Sequence, residues 1–99
     1  MLTGGSQRTI DTKNNSSGVP TGATAVLVNL TVTNTSPAGY LALYSNALAH
    51  WPGTSTINWD HPNQSIANSA IVAVDANAQL KAYANTNTDL LIDVIGYYQ

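Results

Sequence analysis

The chain has 99 residues, a formal net charge of −2 and no cysteine. This length predicts a single small domain spanning 1–99, and the missing thiols exclude disulfides, thiolate metal sites and a cysteine nucleophile. Only three residues are basic. They cannot form the cationic track that a phosphate backbone requires, so nucleic acid is not expected as a partner.

The first residues, MLTGGSQRT, lack the basic region and the apolar stretch of a signal peptide. No run of the sequence approaches the roughly 18 apolar residues of a membrane-spanning helix, so membrane insertion is not expected. Residues 1–6 are predicted to be an N-terminal tail, either flexible or added for expression. A short first strand is predicted around Arg8 to Thr12.

The clearest strand signal is ATAVLVNLTVTN, residues 23–34. Apolar side chains at every second position from Val26 to Val32 predict a strand with one buried face, and Asn29 would lie on the opposite face. The turn-forming stretch NTSPAG ends this strand, and YLALYS, residues 40–45, follows it. The two segments are predicted to form a hairpin.

The segment NALAHWPGT, residues 46–54, is the least regular and is predicted to be a loop. Further strands are predicted at STINW (55–59), SAIVAV (69–74), QLKAYA (79–84) and DLLIDVIGYY (89–98). Together these segments give about seven strands, and helical periodicity is missing. We therefore predict an all-β fold, an antiparallel β-sandwich of jelly-roll or immunoglobulin-like topology.

The five acidic residues are all aspartates. Asp75, in the sequence DANA, is typical of a turn in which an aspartate side chain binds its own backbone. Asp11 and Asp93 each interrupt a strand pattern, and a buried carboxylate is costly unless it is paired or hydrogen-bonded. We expect a structural role for both, with Arg8 and then Lys13 as the available cationic partners.

The last predicted strand makes this expectation specific. Leu90, Ile92 and Val94 would face the core, while Asp93 on the other face would meet Arg8 or backbone donors of the first strand and so join the ends of the chain. Gly96 would let the strand bend or let another segment approach closely. On this hypothesis, Asp93→Asn damages folding.

The two histidines do not belong to a recognisable catalytic or metal-binding pattern. His50 and His61 lie beside Trp and Pro in loop-like sequence, and the sequence contains no HExxH, GxSxG or glycine-rich phosphate loop. We therefore expect a protein that is not an enzyme and that uses no metal and no cofactor.

The aromatic residues suggest a different kind of site. Tyr and Trp combine a flat apolar face with a polar tip, which suits sugar rings when amide groups lie nearby. The predicted carbohydrate-contacting residues are Trp51, Asn58, Trp59, Asp60, His61, Asn63 and Gln64. The alternative is that aromatics such as Trp59 and Tyr83 pack in the core or at the sheet edges.

The segments RTIDT, GVPTGATAV, NLTVT, GYLALY, STIN, AN and DVIGYY follow one another in this chain. Their order resembles that of β-sandwich modules attached to secreted actinobacterial proteins such as peptidoglycan amidases and polysaccharide hydrolases. The modules read D-T-R, V-P-x-G-A-T-A-V, N-V-T-V-T, G-Y-L-T-V-Y, S-x-x-N, A-N and D-V-x-G-Y-Y. Lys13 stands where the modules carry arginine, so a bidentate carboxylate clamp from this position would be lost.

The resemblance implies an extracellular, non-catalytic accessory domain whose export signal is not in this chain. Its expected partner is a cell-wall or other polysaccharide, bound weakly at each site and strengthened by multivalency. The alternative is a structural self-assembling protein, such as a coat, decoration or filament subunit. Low charge, small side chains and open sheet edges favour such protein contacts, so a homo-oligomer is left open.

Overall fold

The protein consists of two antiparallel sheets, and the computed structural model describes residues 2–12 and 18–99. The strands are β1 (Gln7–Asp11), β2 (Ala25–Thr33), β3 (Gly39–Ser45), β4 (Ile57–Trp59), β5 (Ile66–Ala73), β6 (Gln79–Ala84) and β7 (Asp89–Tyr98). The prediction of a seven-stranded all-β sandwich is confirmed. The described residues include no helix with the length and apolar character that crossing a membrane would take.

The strand order is β1-β6-β3-β4 in one sheet and β5-β2-β7 in the other. Every connection except the one from β3 to β4 therefore passes from one sheet to the other. In an immunoglobulin constant-type sandwich the first strand pairs with the second, whereas here β1 pairs with β6.

The predicted hairpin of β2 and β3 is wrong. β2 lies between β5 and β7, with Val28 opposite Ala70 on one side and Val94 on the other, so both of its edges already have partners. β3 pairs instead with β4 and β6 in the other sheet. The turn residues 34–38 cross the end of the sandwich, where the Ser36 N–H donates to the Asn87 carbonyl at 2.9 Å.

The core lies between the two sheets. The predicted alternation in β2 is confirmed, because Val26, Val28, Leu30 and Val32 are completely buried. The other sheet contributes further side chains to the same cluster: Leu41, Leu43, Ile57, Trp59, Leu80, Ala82 and Ala84. The many alanines keep this core light for the size of the domain.

The facing of β7 matches the prediction, but the predicted partner of Asp93 does not. Ile92 and Val94 pack against the core, and Asp93 is exposed on the outward face. Arg8 belongs to β1 in the other sheet, whereas Asp93 lies opposite Asn29 of β2. Pairing of Asp93 with the first strand is therefore wrong, and an exposed carboxylate gives no reason for Asp93→Asn to damage folding.

A β-bulge bends β7 next to Gly96. Leu27 lies opposite Gly96 and Val28 lies opposite Val94, so Ile95 is an extra residue in the ladder. A side chain at Gly96 would meet no atom within 4 Å. The prediction that Gly96 allows a close approach is therefore wrong, and the bend belongs to the bulge.

The remaining predicted aspartates have different outcomes. The Asp75 Oδ1 atom accepts the Asn77 N–H at 2.9 Å, which confirms the predicted side-chain-to-backbone turn. Asp11 is half-buried at the end of β1, opposite Gln79. The structural roles of Asp11 and Arg8 stay predictions, and Lys13 lies outside the described residues.

Residues 2–5 are part of the fold. Leu2 is 1% exposed in the core, and its N–H donates to the Thr88 carbonyl at 2.7 Å. The Gly4 N–H donates to the Asn87 side chain at 2.7 Å. The prediction of a flexible tail is therefore wrong for these residues, and the contact between Leu2 and Thr88 joins residue 2 to the start of β7.

Candidate functional site

The predicted loop, residues 46–54, is confirmed, and it lies across the outward face of the four-stranded sheet. The Lys81 ammonium donates to the Leu48 carbonyl at 2.7 Å, and the Gln7 side-chain amide donates to the Ala49 carbonyl at 3.3 Å. Because this loop covers the sheet, the outward-facing Tyr44 of β3 is only 5% exposed. The loop places its own aromatic residue on the same face.

Trp51 stacks on two tyrosines that project from the sheet. Its ring centroid lies 5.2 Å from that of Tyr40, with 28° between the planes. The centroid lies 5.1 Å from that of Tyr83, with 20° between the planes. The indole N–H donates to the Thr54 carbonyl at 2.7 Å, so the loop itself fixes the orientation of the indole.

Strand register explains how these residues meet. Tyr40 of β3 lies directly opposite Asn58 of β4, and Tyr83 of β6 lies opposite Ala42 of β3. Residues directly opposite each other in an antiparallel pair share a face of the sheet. Tyr40, Asn58 and Tyr83 therefore project outward together, while Leu41 between them points into the core.

An open groove of about 240 Å³ lies beside the stack, lined by Tyr40, Trp51, Gly53, Thr54, Ser55 and Asn58. The Asn58 side-chain amide donates to the Ser55 hydroxyl at 3.3 Å. Partial burial, with a smaller contribution from Tyr83, raises the pKa of Tyr40 above its ordinary value. Its phenol is protonated at neutral pH, as tyrosine ordinarily is, and can donate a hydrogen bond to a ligand.

Trp59 does not belong to this groove. It is 4% exposed in the core, and among the described residues its indole N–H has no hydrogen-bond partner. The physical reason is alternation along β4, which turns Ile57 and Trp59 inward and Asn58 outward. The prediction that Trp59 contacts carbohydrate is wrong, and the alternative of core packing is correct for this residue.

The other predicted residues form a tight loop between β4 and β5. The Gln64 side-chain oxygen accepts the backbone N–H groups of Asp60 and His61, each at 3.2 Å. The Thr35 hydroxyl in turn accepts the Gln64 N–H at 2.9 Å, and the Asn63 N–H donates to the Thr35 carbonyl at 2.7 Å. These contacts tie the loop to the β2–β3 connection, and the groove lining does not include it.

The predicted seven-residue site is therefore divided. Trp51 and Asn58 meet in the groove, Trp59 is in the core, and Asp60, His61, Asn63 and Gln64 lie in the β4–β5 loop. The His61 ring and the Asp60 carboxylate are 2.8 Å apart and well exposed. Within the part of the chain that the structure describes, no three side chains of metal-binding type come together.

Sequence reasoning missed Tyr40 and the stretch 53–55 as groove residues. Alternation along YLALYS carries a signal for Tyr40, since it places Tyr40 on the face opposite to Leu41 and Leu43. The sequence carries no signal for the pairing of Tyr40 with Asn58, because the register of β3 with β4 depends on which strands share a sheet.

No family model, no curated protein and no solved structure matches this chain. The function is therefore inferred from the groove and from the exposed faces of the fold.

Proposed function

We propose that this domain is a non-catalytic module that binds polysaccharide in the groove beside Tyr40 and Trp51. The observation that supports the proposal is the fixed stack of Trp51 with two tyrosines at the edge of an open groove. A rigid aromatic surface stacks against the CH groups of a sugar ring, and Ser55 and Asn58 offer hydroxyl and amide groups to its hydroxyls.

The size of the groove favours one residue of a longer chain. Its volume of about 240 Å³ lies below the roughly 300–1,000 Å³ of closed small-molecule sites. An open groove lets a polymer continue past both ends, and a single sugar contact of this kind binds weakly. We therefore expect weak binding that becomes useful when several sites act together.

The chemistry of the lining supports a binding role. Phenol, indole, hydroxyl and amide groups line the groove, and such groups hold a neutral sugar without transferring a proton at neutral pH. The resemblance to accessory modules of secreted actinobacterial hydrolases supports cell-wall or related polysaccharide as the ligand and the outside of the cell as the place of action.

Retention on insoluble polysaccharide tests the proposal. The parent protein, Trp51→Ala and Asn58→Ala are incubated with cell wall, chitin, cellulose and α-glucan, and the bound fraction is measured after sedimentation. We expect the parent to be retained on at least one of these polymers. Trp51→Ala should weaken retention about tenfold or more, because stacking on an anchor ring carries much of such an interface.

Tyr97→Ala is the matched control, because Tyr97 is an aromatic residue 45% exposed on β7 in the other sheet. It should bind as the parent does. Circular dichroism of each variant shows whether the fold is kept. Equal retention of the parent, folded Trp51→Ala and folded Asn58→Ala would remove the groove from the proposal.

One observation favours the alternative function, a structural self-assembling subunit. The outward face of the three-stranded sheet exposes large apolar side chains, among them Ile71 and Leu91. This face is separate from the groove, which belongs to the four-stranded sheet.

A further inference from the structure

Large apolar side chains are exposed across the outward face of the three-stranded sheet. Residues opposite each other in neighbouring strands share a face of the sheet. The pairings of β2 with β5 and β7 therefore give the rows of side chains that run across this face. The rows are Ala73, Ala25 and Tyr98; Ile71, Leu27 and Gly96; Ser69, Asn29 and Asp93; and Ala67, Thr31 and Leu91. We call these residues, together with Ile95 of the bulge, the outer face.

The outer face brings several exposed large apolar side chains together on one surface. Ile71, Leu91 and Ile95 are 64%, 63% and 61% exposed, and Tyr98 is 47% exposed. Such side chains leave on the order of 100 Å² each in solvent. Monomers rarely expose patches beyond a few hundred Å², and with its other residues the face approaches the roughly 800 Å² that one partner buries in a standard interface.

Large and small side chains are placed so that two copies of the outer face fit each other. β7 carries Leu91 and Tyr98 at one edge, and β5 carries Ala67 and Ala73 in the same rows at the other edge. A two-fold axis parallel to the strands, running over β2, lays β7 of one copy on β5 of the other. Leu91 then meets Ala67 of the second copy, and Tyr98 meets its Ala73.

The row of Ser69, Asn29 and Asp93 distinguishes a two-fold axis along the strands from one that runs across them. With the axis along the strands, Asp93 faces the Ser69 hydroxyl of the second copy, and Asn29 faces its own counterpart, so each has a hydrogen-bonding group opposite. An axis across the strands would instead lay β7 on β7. Midway to a neighbouring row, such an axis places Asp93 against Gly96 or Leu91, neither of which can pair the carboxylate. Through the row itself, it places Asp93 against Asp93. Two like charges in a water-poor interface repel strongly, which disfavours that arrangement.

We propose that the outer face binds a second copy of this chain, in a closed two-fold dimer whose axis runs along the strands. Aligned face-to-face packing about 10 Å apart is an ordinary arrangement of twisted sheets. A net charge of −2 on each copy opposes association only weakly. The dimer does not depend on polysaccharide binding, because the groove lies on the other sheet.

Sedimentation equilibrium from micromolar to millimolar chain concentration tests the dimer. The parent should reach twice the 10.4 kDa mass of one chain and no more. Leu91→Lys and Ile95→Lys should each raise the dissociation constant about tenfold or more, because each buries a charge in the interface. Leu48→Lys is the matched control, since Leu48 is 43% exposed in the loop over the other sheet and should leave the dimer unchanged.

A compensating pair of substitutions tests the direction of the axis. Ala73→Tyr should weaken the dimer, because its ring meets Tyr98 of the second copy. Adding Tyr98→Ala to Ala73→Tyr should restore much of the affinity, since the large and small side chains have then exchanged places. Without this rescue the proposed axis is wrong.

Other outcomes of the sedimentation experiment would overturn the dimer itself. A parent protein that stays monomeric at millimolar concentration would do so, and so would a dimer that Leu91→Lys and Ile95→Lys leave intact. Growth beyond two copies with rising concentration would show an open assembly in place of a closed pair. Since none of these results bears on polysaccharide retention, the two proposals fail separately.

Discussion

Asn58 and Trp59 are neighbours in β4 that project from opposite sides of one sheet. Asn58 is exposed beside Tyr40 at the groove, while Trp59 is 4% exposed within the core. A substitution at Trp59 therefore changes stability and would affect a ligand only through loss of the fold. Only the substitution at Asn58 reports on binding, and for this reason the retention experiment uses Asn58 and Trp51.

A hydrogen bond between Asn34 and Asp89 at the end of the sandwich makes the stability of the fold depend on pH. The Asn34 side-chain amide donates to the Asp89 carboxylate at 2.8 Å and lowers the pKa of that carboxyl below its ordinary value. A carboxyl with a lowered pKa in the folded state stabilises the fold above its unfolded pKa, and this contribution is lost as pH falls through the folded pKa.

We expect Asn34→Gly to raise the pKa of Asp89 toward its ordinary value, as read by NMR titration of the side-chain carboxyl. Glycine keeps the positive φ of 49° at this position, so the change removes the amide and spares the turn. The variant should be less stable than the parent at neutral pH, and the difference should shrink in acid.

Asn63→Gly is the control for this titration. Asn63 also has a positive φ, 56°, and it lies in the loop between β4 and β5. It should leave the pKa of Asp89 unchanged. An unaltered pKa in Asn34→Gly would mean that the hydrogen bond does not hold the carboxylate in its charged form.

At the scale of the strands, alternation of apolar side chains was sufficient to predict about seven strands and the buried faces of β2 and β7, but not which strands are neighbours. Each strand carries its own in-and-out pattern, as the run from Val26 to Val32 shows. Which strand lies beside which depends on contacts between distant segments, and β2 satisfies the same alternation beside β3 or beside β7. The predicted hairpin failed for this reason.

The candidate site was predicted only in part for the same reason. Trp51 was identified by its aromatic character, but its stacking partners Tyr40 and Tyr83 come from strands whose pairing the sequence does not specify. Trp59 carried a usable signal, since a strand that points Ile57 inward also points Trp59 inward. Sequence proximity of the two tryptophans wrongly outweighed that alternation.

The segment before β1 gives a prediction about stability. Leu2 is 1% exposed in the core, so Leu2→Ala should lower the free energy of unfolding by about 2–4 kcal/mol, as for other buried leucines. Urea denaturation with a common m-value measures the change.

Leu48→Ala is the control for Leu2→Ala, because Leu48 is 43% exposed and the change should stay within about 0.5 kcal/mol. If both variants unfolded at the parent midpoint, Leu2 would not be a core residue in solution.

At the scale of the whole molecule, the groove and the outer face belong to opposite sides of the sandwich. The groove is on the four-stranded sheet, and the outer face is on the three-stranded sheet. In the proposed dimer the two three-stranded sheets meet in the middle, so the two grooves face away from each other. Four stacked sheets have gaps of about 10 Å between neighbours, so the two outermost sheets, whose outer faces carry the grooves, lie on the order of 30 Å apart.

This arrangement predicts that the dimer cross-links polysaccharide particles. A suspension of a polymer that retains the parent protein should aggregate with the parent, as measured by turbidity. Leu91→Lys should still bind the particles but should not aggregate them, because each monomer carries one groove. Trp51→Ala should neither bind nor aggregate.

Aggregation by both the parent and Leu91→Lys would mean that cross-linking does not come from the outer face. Binding by the parent without aggregation would mean that the two grooves do not open in opposite directions.

The connections that cross between the sheets determine when the chain can fold. β2 completes its sheet with β5 and β7, which lie far along the chain, and among the strands of the described residues only β3 and β4 pair as sequence neighbours within one sheet. A fold built from such distant pairings forms slowly, in milliseconds to seconds for small β-proteins. During synthesis one edge of β2 therefore stays unpaired until β7 has emerged from the ribosome, and the chain is most open to aggregation in that interval.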